Sequence, residues 1–334
     1  MDWIVINCEM YDKITKKRKG GILLKSIKIL FMGTPEIAKC MLETLYTNGY
    51  EISAVVTQPD KKAGRKQQLK CSEVKQFALD HNIEVIQPIS IAKEYESLMN
   101  IECDLIVTCA YGQFIPEALL QYPKYGSINV HASLLPKLRG GAPIHKAIIY
   151  GEKETGISIM RMVKRMDAGA VMAQSAITIK EDETMGELYD RLTLCGQSLL
   201  LESIEKLVNG EAVFVEQDEA SATFAYAITK EEEHVDFNRD VQDVYNHIRG
   251  LIPWPTGYAM IQGKKYKFHK AKMLRKAHNE VAGKVIGLEK DAILVTALNG
   301  YILIEEIQME GKGKMAAKPF FNGAGKQLVG ACFE

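Results

Sequence analysis

The sequence lacks a net charge, and it lacks any long hydrophobic run. Its 334 residues include 42 basic and 42 acidic side chains, and the longest apolar runs have the length of a single strand. A helix that crosses a bilayer needs about 18 apolar residues, so the pattern excludes an integral membrane protein. Hydrophobic residues make up 47% of the chain, which is typical of a folded globular protein. At roughly 150 residues per domain, the length predicts two domains.

Closely paired cysteines are also missing. The seven cysteines are widely spaced and form no C-x-x-C pair, so the sequence indicates neither a disulfide framework nor a thiolate zinc site. We therefore expect a cytoplasmic protein that needs no metal. The sequence contains no serine elbow, H-E-x-x-H, G-x-x-x-x-G-K-S/T or G-x-G-x-x-G motif. Their absence disfavours covalent serine catalysis, a zinc hydrolase, a P-loop enzyme and a nicotinamide cofactor.

The first 26 residues differ in character from the rest. A short apolar run after Asp2 precedes a basic cluster, Lys13 to Lys19, and three acids are interspersed. A signal peptide has the opposite order, with charge first and a longer apolar core, and a mitochondrial transit peptide avoids acids. We predict that residues 1–26 are a poorly structured extension, and a functional arm is the alternative.

From Ile27 onward, short apolar runs alternate with helical segments. The run IKILFMG is followed by Thr34-Pro35-Glu36, which we interpret as the N-cap and first turn of a helix. Continuous apolar runs between helices are typical of a parallel, doubly wound sheet. Residues 27–210 are therefore predicted to form a Rossmann-like α/β domain. Further strands are predicted at residues 51–57, 103–110, 125–130, 156–162 and 171–179, with helices at about 72–81 and at 184–208, the latter capped by Asp182 or Thr184.

The remainder of the chain predicts a linker and a second domain. Residues 211–240 hold nine acids against two basic residues, and we place a linker at 211–232. Beyond a predicted helix at 241–251, five short apolar segments are separated by Gly, Asn and Asp turns. This spacing favours a small β-barrel of the oligonucleotide-binding (OB) type at residues 233–334. Residues 261–334 carry thirteen Lys or Arg against seven acids, so the barrel is basic.

Two polar residues lie at the end of the strand SINV, where ligands bind in open α/β sheets. Asn129 and His131 are two residues apart, so their side chains point the same way. An amide can donate to an oxyanion, and an imidazole titrates near neutral pH. Asp167, in a predicted turn before Ala-Gly, could orient that imidazole. The alternatives are a strand-end amide, a hydrogen-bonded core histidine and a simple turn former.

A basic loop follows the second predicted strand. Six basic residues face a single acid, Glu73, in this stretch: Lys61, Lys62, Arg65, Lys66, Lys70 and Lys75. The zero net charge of the whole chain argues against a nucleic-acid partner, but a basic loop beside a catalytic site suits the phosphates of an RNA end. A solvated surface loop is the alternative. The basic second domain favours the nucleic-acid interpretation.

Several strings of this sequence, in this order, resemble the methionyl-tRNA formyltransferase family. They are Ile29-Leu30-Phe31-Met32-Gly33-Thr34-Pro35, Val56-Thr57-Gln58-Pro59-Asp60, Ala110-Tyr111-Gly112, Asn129-Val130-His131-Ala132-Ser133-Leu134-Leu135-Pro136, Arg139-Gly140-Gly141-Ala142-Pro143-Ile144, Asp167-Ala168-Gly169 and Pro253-Trp254-Pro255. The resemblance runs from about Ile27 to the C-terminus and leaves out residues 1–26. One departure is Ala170, where some relatives carry a second acid.

The resemblance implies a reaction and its site residues. Asn129, His131 and Asp167 match the family's catalytic residues, and they would move a formyl group from 10-formyltetrahydrofolate to the α-amino group of methionyl-initiator tRNA through a tetrahedral intermediate. The resemblance places the folate against Ser133, Leu134, Leu135 and Pro136, with its pterin near residues 109–116. It places the acceptor stem against the basic loop, where Lys61, Lys62, Arg65 and Lys66 would bind tRNA.

Three alternatives share parts of this pattern. A folate-dependent amino-sugar formyltransferase or a formyl-folate hydrolase can carry the same Asn, His and Asp. A sugar enzyme would have no use for the charge of the residues from Lys61 to Lys70. A non-catalytic RNA-binding relative is disfavoured because all three residues are present. The expected partners are a folate and initiator methionyl-tRNA, without a membrane, and the protein is expected to be a monomer.

Overall fold

The computed structural model describes residues 27–63 and 68–334. The extension predicted at residues 1–26 lies outside this part of the chain. No helix within the described ranges is long and apolar enough to cross a membrane.

The N-terminal half is built on a mainly parallel sheet of seven strands. The sequence predicts this mainly parallel sheet and six of its strands, and the two-residue strand Val85–Ile86 is additional. Its strand order is β5-β2-β1-β6-β7-β8-β9, in which β1, β2, β5, β6 and β7 pair in parallel and β8 runs antiparallel to β7. The central strands are buried almost throughout, which explains why they read as unbroken apolar runs. The strands are β1 Lys28–Gly33, β2 Glu51–Val56, β5 Val85–Ile86, β6 Leu105–Cys109, β7 Ser127–His131, β8 Glu154–Arg161 and β9 Val171–Thr178.

A short hairpin interrupts this pattern after β2. Strands β3 (Lys61–Ala63) and β4 (Gln68–Lys70) pair antiparallel with each other in a separate two-stranded sheet. The sequence predicts a loop here, because these residues are polar or charged and do not alternate. Strands β3 and β4 therefore carry Lys61, Lys62 and Lys70 of the basic residues that follow β2.

Within the described ranges, the chain from β1 to residue 208 contains six helices. They are α1 Glu36–Thr47, α2 Glu73–Asp80, α3 Ile91–Leu98, α4 Glu117–Gln121, α5 Pro143–Ile149 and α6 Met185–Val208. The predicted cap of α6 is confirmed at Thr184, since its Oγ1 accepts from the Glu187 N–H at 3.4 Å and Glu187 Oε2 accepts from the Thr184 N–H at 2.8 Å. The predicted cap of α1 is wrong. Pro35 occupies the N-cap position without a side-chain bond, and Thr34 Oγ1 instead donates to the carbonyl of Tyr111 at 3.1 Å.

The chain divides into two compact units. The first contains the described residues up to Pro143, with Thr155–Ile177 and Asp190–Tyr226. The second contains Ile144–Glu154, Thr178–Tyr189 and Ala227–Glu334. The division predicted from the sequence, with a first domain at 27–210, a linker at 211–232 and a second domain at 233–334, stays a prediction. The first part of the predicted linker is nevertheless paired within the first unit, because Val215 and Val171 exchange backbone hydrogen bonds of 2.9 and 2.8 Å.

The second unit contains an antiparallel sheet with the order β10-β11-β14-β13-β12, and β15 pairs with β14. All five predicted strands are confirmed, and the two-residue β15 is additional. Helices α7 (Val241–Gly250) and α8 (Ala317–Phe320) both contribute buried side chains to a core of aliphatic and aromatic residues. The strands are β10 Tyr258–Ile261, β11 Lys264–Leu274, β12 Val285–Glu289, β13 Ala292–Ala297, β14 Gly300–Met309 and β15 Met315–Ala316.

The C-terminal tail connects the two edges of this sheet. Glu334 exchanges backbone hydrogen bonds of 2.7 and 2.9 Å with Met260 in β10. At the opposite edge, the Val285 N–H in β12 donates to the carbonyl of Ala331 at 2.9 Å, and the Gly330 N–H donates to the carbonyl of Val285 at 2.8 Å. The tail therefore occupies backbone groups that an open sheet would leave unpaired at both edges. It gives the antiparallel sheet the closure expected of a small barrel.

Candidate active site

The loops after β1, β2 and β6 are joined at the carboxyl edge of the first sheet. The carbonyl of Tyr111, after β6, accepts hydrogen bonds from Thr34 Oγ1 at 3.1 Å and from Gln58 Nε2 at 3.0 Å. Thr34 follows β1, and Gln58 follows β2. Burial raises the pKa of the Tyr111 phenol to about 12, so its hydroxyl stays protonated at neutral pH. That hydroxyl is buried and has no hydrogen-bond partner in the described ranges.

Asn129 lies in β7, at the same edge. Its Oδ1 accepts a hydrogen bond from Thr108 Oγ1 of the neighbouring strand β6 at 2.8 Å. This contact fixes the amide plane, and the amide nitrogen donates to none of the residues that the structure describes. The side chain is half-buried. The Asn129 amide nitrogen is therefore a hydrogen-bond donor of fixed orientation that has no acceptor among the described residues.

His131 is the last residue of β7 and is buried. Its Nε2 lies 3.1 Å from the carbonyl of Leu138. A carbonyl can only accept, so this contact assigns the proton of the neutral ring to Nε2. Nδ1 lies 3.7 Å from Oδ2 of Asp167, which is beyond direct hydrogen-bond distance. Nδ1 is thus the ring nitrogen that remains able to exchange a proton.

Asp167 occupies a constrained turn between β8 and β9. Its φ is 48°, in the left-handed region that non-glycine residues rarely adopt. Its Oδ2 accepts from the Gly140 N–H at 2.8 Å, which directs the carboxylate toward the loop after β7. A Cβ on Gly169 would overlap the carbonyl oxygen of Arg161, so the turn also requires glycine there. The structure thus brings the three predicted catalytic residues together.

A buried arginine, Arg139, is linked to this turn by hydrogen bonds through Gln217. The sequence pattern indicates no role for it. Arg139 is 1% exposed, and its Nε and Nη2 donate to Gln217 Oε1 at 3.0 and 2.8 Å. Its Nη1 and Nη2 also donate to Glu219 Oε2 and Oε1 at 3.1 and 2.9 Å. Glu219 forms a second ion pair, with Arg165. The Arg139 guanidinium holds the pKa of the Glu219 carboxyl below its ordinary value.

Gln217 connects Arg139 to the Asp167 turn. While its Oε1 accepts from Arg139, its Nε2 donates to the carbonyls of Asp167 and Gly169, both at 2.8 Å. Every polar atom of the Gln217 side chain is therefore used. We call Arg139, Gln217 and Glu219 the arginine clamp. Gln217 and Glu219 lie in the acidic segment predicted as a linker, so only their tertiary contacts reveal them.

The predicted folate segment is held rigidly after β7. Ser133 is fully buried and donates to the carbonyl of Lys137 at 2.6 Å, while Ser158 Oγ donates to the carbonyl of Ser133 at 2.6 Å. Leu135 packs in a small apolar cluster. Leu134 and Pro136 are half-buried. The structure therefore leaves Leu134 and Pro136 as the partly accessible members, and the Ser133 hydroxyl is used inside the loop.

The basic residues after β2 divide into two groups. Lys61 and Lys62 are exposed in the hairpin, and Arg65 and Lys66 lie outside the described residues. Lys75 is bound 2.7 Å from Asp60, and Lys70 is bound 2.7 Å from Glu73. Lys70 and Lys75 are thus already paired with carboxylates, and Asp60 acts as a second opposing acid beside Glu73.

Two family models match this chain. The model described as formyl transferase covers residues 25–204, and the model described as formyl transferase, C-terminal domain, covers residues 227–325. The chain therefore belongs to the formyl transferase family. Among curated relatives, the methionyl-tRNA formyltransferase of Enterococcus faecalis is 44% identical over 90% of this chain and 97% of its own length. That of Halalkalibacterium halodurans is 47% identical over 90% of this chain and 96% of its own length.

Solved structures share the fold at lower identity. WlaRD, a sugar 3N-formyl transferase crystallised with dTDP and 5-N-formyl-THF, is 20% identical with a TM-score of 0.63, over 86% of this chain and 99% of that chain. HypX from Aquifex aeolicus in complex with tetrahydrofolic acid is 17% identical with a TM-score of 0.65, over 91% of this chain and 48% of that chain. The predicted fold class, a Rossmann-like formyltransferase domain followed by an antiparallel sheet domain, is confirmed.

Proposed function

We propose that this protein transfers a formyl group from 10-formyltetrahydrofolate to the α-amino group of methionyl-initiator tRNA in the cytoplasm. The observation that carries the proposal is the convergence of Asn129, His131 and Asp167 in a chain that spans nearly the whole length of methionyl-tRNA formyltransferases. A monomeric enzyme is part of the proposal.

The residues at this edge fit a flat ligand with several polar atoms. The Asn129 amide nitrogen is a donor that no described residue accepts from. Leu134 and Pro136 add apolar surface. Together these residues would hold the folate, which supplies the formyl carbon when bound.

Each catalytic step then has a residue in this chain. The Asn129 amide would donate to the formyl oxygen as negative charge develops there, a contribution often worth about 3 kcal/mol. Nδ1 of His131 would take the proton of the attacking amine and return it to the departing nitrogen. The Asp167 carboxylate, 3.7 Å from that nitrogen, would stabilise the imidazolium while it carries the proton. These steps need no covalent intermediate on the protein.

The acceptor is inferred from the relatives and from charge. Lys61 and Lys62 are exposed on the hairpin after β2, a strand whose carboxyl end is tied to the loop after β6. With Arg65 and Lys66 they would contact the phosphates of an acceptor stem. Amino-sugar formyltransferases share the fold at 20% identity or less in the structures compared, which does not favour a sugar acceptor.

A direct assay tests the proposal. Purified protein with 10-formyltetrahydrofolate is incubated with charged initiator tRNA, charged elongator tRNA or a nucleotide-linked amino sugar. We expect rapid formylation of the initiator only, and His131→Ala serves as the control for contaminating activity. Formylation of the sugar alone, or release of formate without transfer, would show that the substrate is wrong.

A further inference from the structure

Two large aromatic side chains are exposed beside the candidate active site. Phe224 is 45% exposed and Tyr226 is 62% exposed. Their rings are nearly parallel, with an interplanar angle of 8° and centroids 5.6 Å apart. Between them, Ala225 is fully buried. The segment is extended, so alternate side chains point to opposite sides, and both rings lie on the outer side.

The backbone of this segment is fixed to the loop that positions Asp167. The Arg139 N–H donates to the carbonyl of Thr223 at 2.9 Å, and the Ala225 N–H donates back to the carbonyl of Arg139 at 2.7 Å. The Ala225 carbonyl accepts from the Ala142 N–H at 2.9 Å. The two exposed rings are therefore held by the main chain and do not depend on their own packing for their place.

Gly140 shows how closely the segment approaches the catalytic loop. Its φ is 125°, and a Cβ there would lie 2.7 Å from the carbonyl oxygen of Ala225. The N–H of the same glycine donates to Asp167 Oδ2 at 2.8 Å. One residue thus contacts the aromatic segment with one side and the candidate catalytic carboxylate with the other. The backbone that carries the two exposed rings therefore contacts the same glycine that binds the candidate catalytic carboxylate.

We propose that Phe224 and Tyr226 form a stacking site for the adenine of the 3′-terminal adenosine of the charged tRNA. This inference rests on the proposed function, since the amine to be formylated is then carried by an aminoacyl ester on that adenosine. Because the same adenosine carries the aminoacyl ester, its base must lie near the reacting amine. The rings of Phe224 and Tyr226 offer a flat aromatic surface in that region. Base stacking on aromatic side chains is independent of sequence, and every tRNA ends in this same base.

The charge of the segment favours a base over a phosphate. Glu216 and Asp218 are exposed in the residues just before the rings. Carboxylates would repel the phosphates of an RNA backbone. An uncharged base is the part of the tRNA end that this surface can accept, whereas the basic hairpin after β2 suits the phosphates.

Steady-state kinetics of four variants test the proposal. The single variants Phe224→Ala and Tyr226→Ala each remove one ring, and Phe224→Tyr and Tyr226→Phe retain both rings as matched controls. Loss of stacking should raise the KM for charged tRNA by about 5-fold to 150-fold, which corresponds to about 1–3 kcal/mol. The KM for 10-formyltetrahydrofolate should not change. Tyr226→Ala is the safer variant for folding, because Tyr226 is the more exposed of the two.

A minimal acceptor separates stacking from other contacts to tRNA. Methionine amide and a methionyl-adenosine in which an amide replaces the ester differ only by the nucleoside. The wild-type enzyme should formylate the adenosine compound with a lower KM, and Tyr226→Ala should lose most of that advantage. An unchanged KM for tRNA in both alanine variants, or an equal rise of the folate KM, would overturn the stacking site. Failure of the wild-type enzyme to formylate charged tRNA would instead overturn the proposed function.

Discussion

Gln217 is the residue whose removal best tests how the Asp167 turn is held. The Gln217→Leu variant keeps a similar volume and removes all four hydrogen bonds of the side chain, two from Arg139 and two to the carbonyls of Asp167 and Gly169. In this variant, Arg139 loses its hydrogen bonds to residue 217 and keeps those to Glu219. Hydrogen bonds that involve a charged group contribute roughly 1.5–3 kcal/mol each, and buried polar groups left unpaired are costly. We expect the free energy of unfolding to fall by about 3 kcal/mol.

The same change should slow the reaction. Asp167 has a φ of 48°, a conformation that costs about 1–3 kcal/mol for a residue with a side chain, and the two bonds from Gln217 oppose its relaxation. A shift of about 1 Å in a catalytic group can lower the rate about 100-fold. We expect kcat to fall by about 10-fold to 100-fold in Gln217→Leu, while the KM for the folate changes little.

A second variant separates this effect from lost stability. Gln217→Glu retains an acceptor for Arg139 but cannot donate to the two carbonyls of the turn. It should therefore lose less stability than Gln217→Leu in urea unfolding, yet lose as much of kcat. Gln76→Leu, on the exposed surface of α2, is the matched control and should change neither quantity. A wild-type kcat in both Gln217 variants would refute the positioning role of the arginine clamp.

Four further measurements address other residues of the site and the second sheet. Asn129→Ala should lower kcat by about 100-fold to 1,000-fold, and a loss below about 10-fold would remove the amide from the mechanism. His131→Ala should lower kcat by about 100-fold to 10,000-fold, with an unchanged circular dichroism spectrum. Replacing Lys61 and Lys62 by Ala should weaken the salt dependence of tRNA binding, measured as the slope of log KM against log salt concentration. The slope should fall by about one for each phosphate that no longer binds a lysine. An unchanged slope would contradict phosphate binding by this pair. Deleting Gly330–Glu334 should lower the melting temperature, since the tail pairs with both edges of the second sheet, and an unchanged value would show that closure adds no stability.

The longer strands of both sheets could be predicted because their pattern is local, whereas β5 and β15 could not, since two residues are too few to show a pattern. Strands β1, β6 and β7 are buried over almost their whole length, and the five barrel strands are separated by turn residues. The hairpin β3–β4 could not be predicted in this way, because its residues are polar or charged. Thr34 shows a second reason for failure. Its hydroxyl could cap α1, but it forms a hydrogen bond to Tyr111, 77 residues away, that local propensity cannot reveal.

The candidate site shows the same division. The joint orientation of Asn129 and His131 follows from strand alternation, which needs only their spacing. The proximity of Asp167 was implied by the family resemblance, and the structure gives it a distance of 3.7 Å. Gln217 contacts Asp167 from 50 residues away, and Glu219 contacts Arg139 from 80 residues away. Their surroundings in sequence are acidic and polar, which is typical of a linker, so nothing local distinguishes them.

Charge can be related to tRNA binding only after the ion pairs are known. Among the basic residues after β2, Lys70 in β4 and Lys75 in α2 are paired with carboxylates. Lys61 and Lys62 are exposed, and Arg65 and Lys66 lie beyond the described residues. Six lysines of the second unit form ion pairs in the same way, namely Lys146, Lys270, Lys272, Lys284, Lys314 and Lys318. Lys264, Lys265 and Lys267, which lie together in β11, have no carboxylate partners among the described residues, and neither have Lys276, Lys290, Lys312 and Lys326. The lysines already paired with carboxylates should therefore contribute less to the salt dependence of tRNA binding than the unpaired lysines, because they gain little when they exchange a carboxylate for a phosphate.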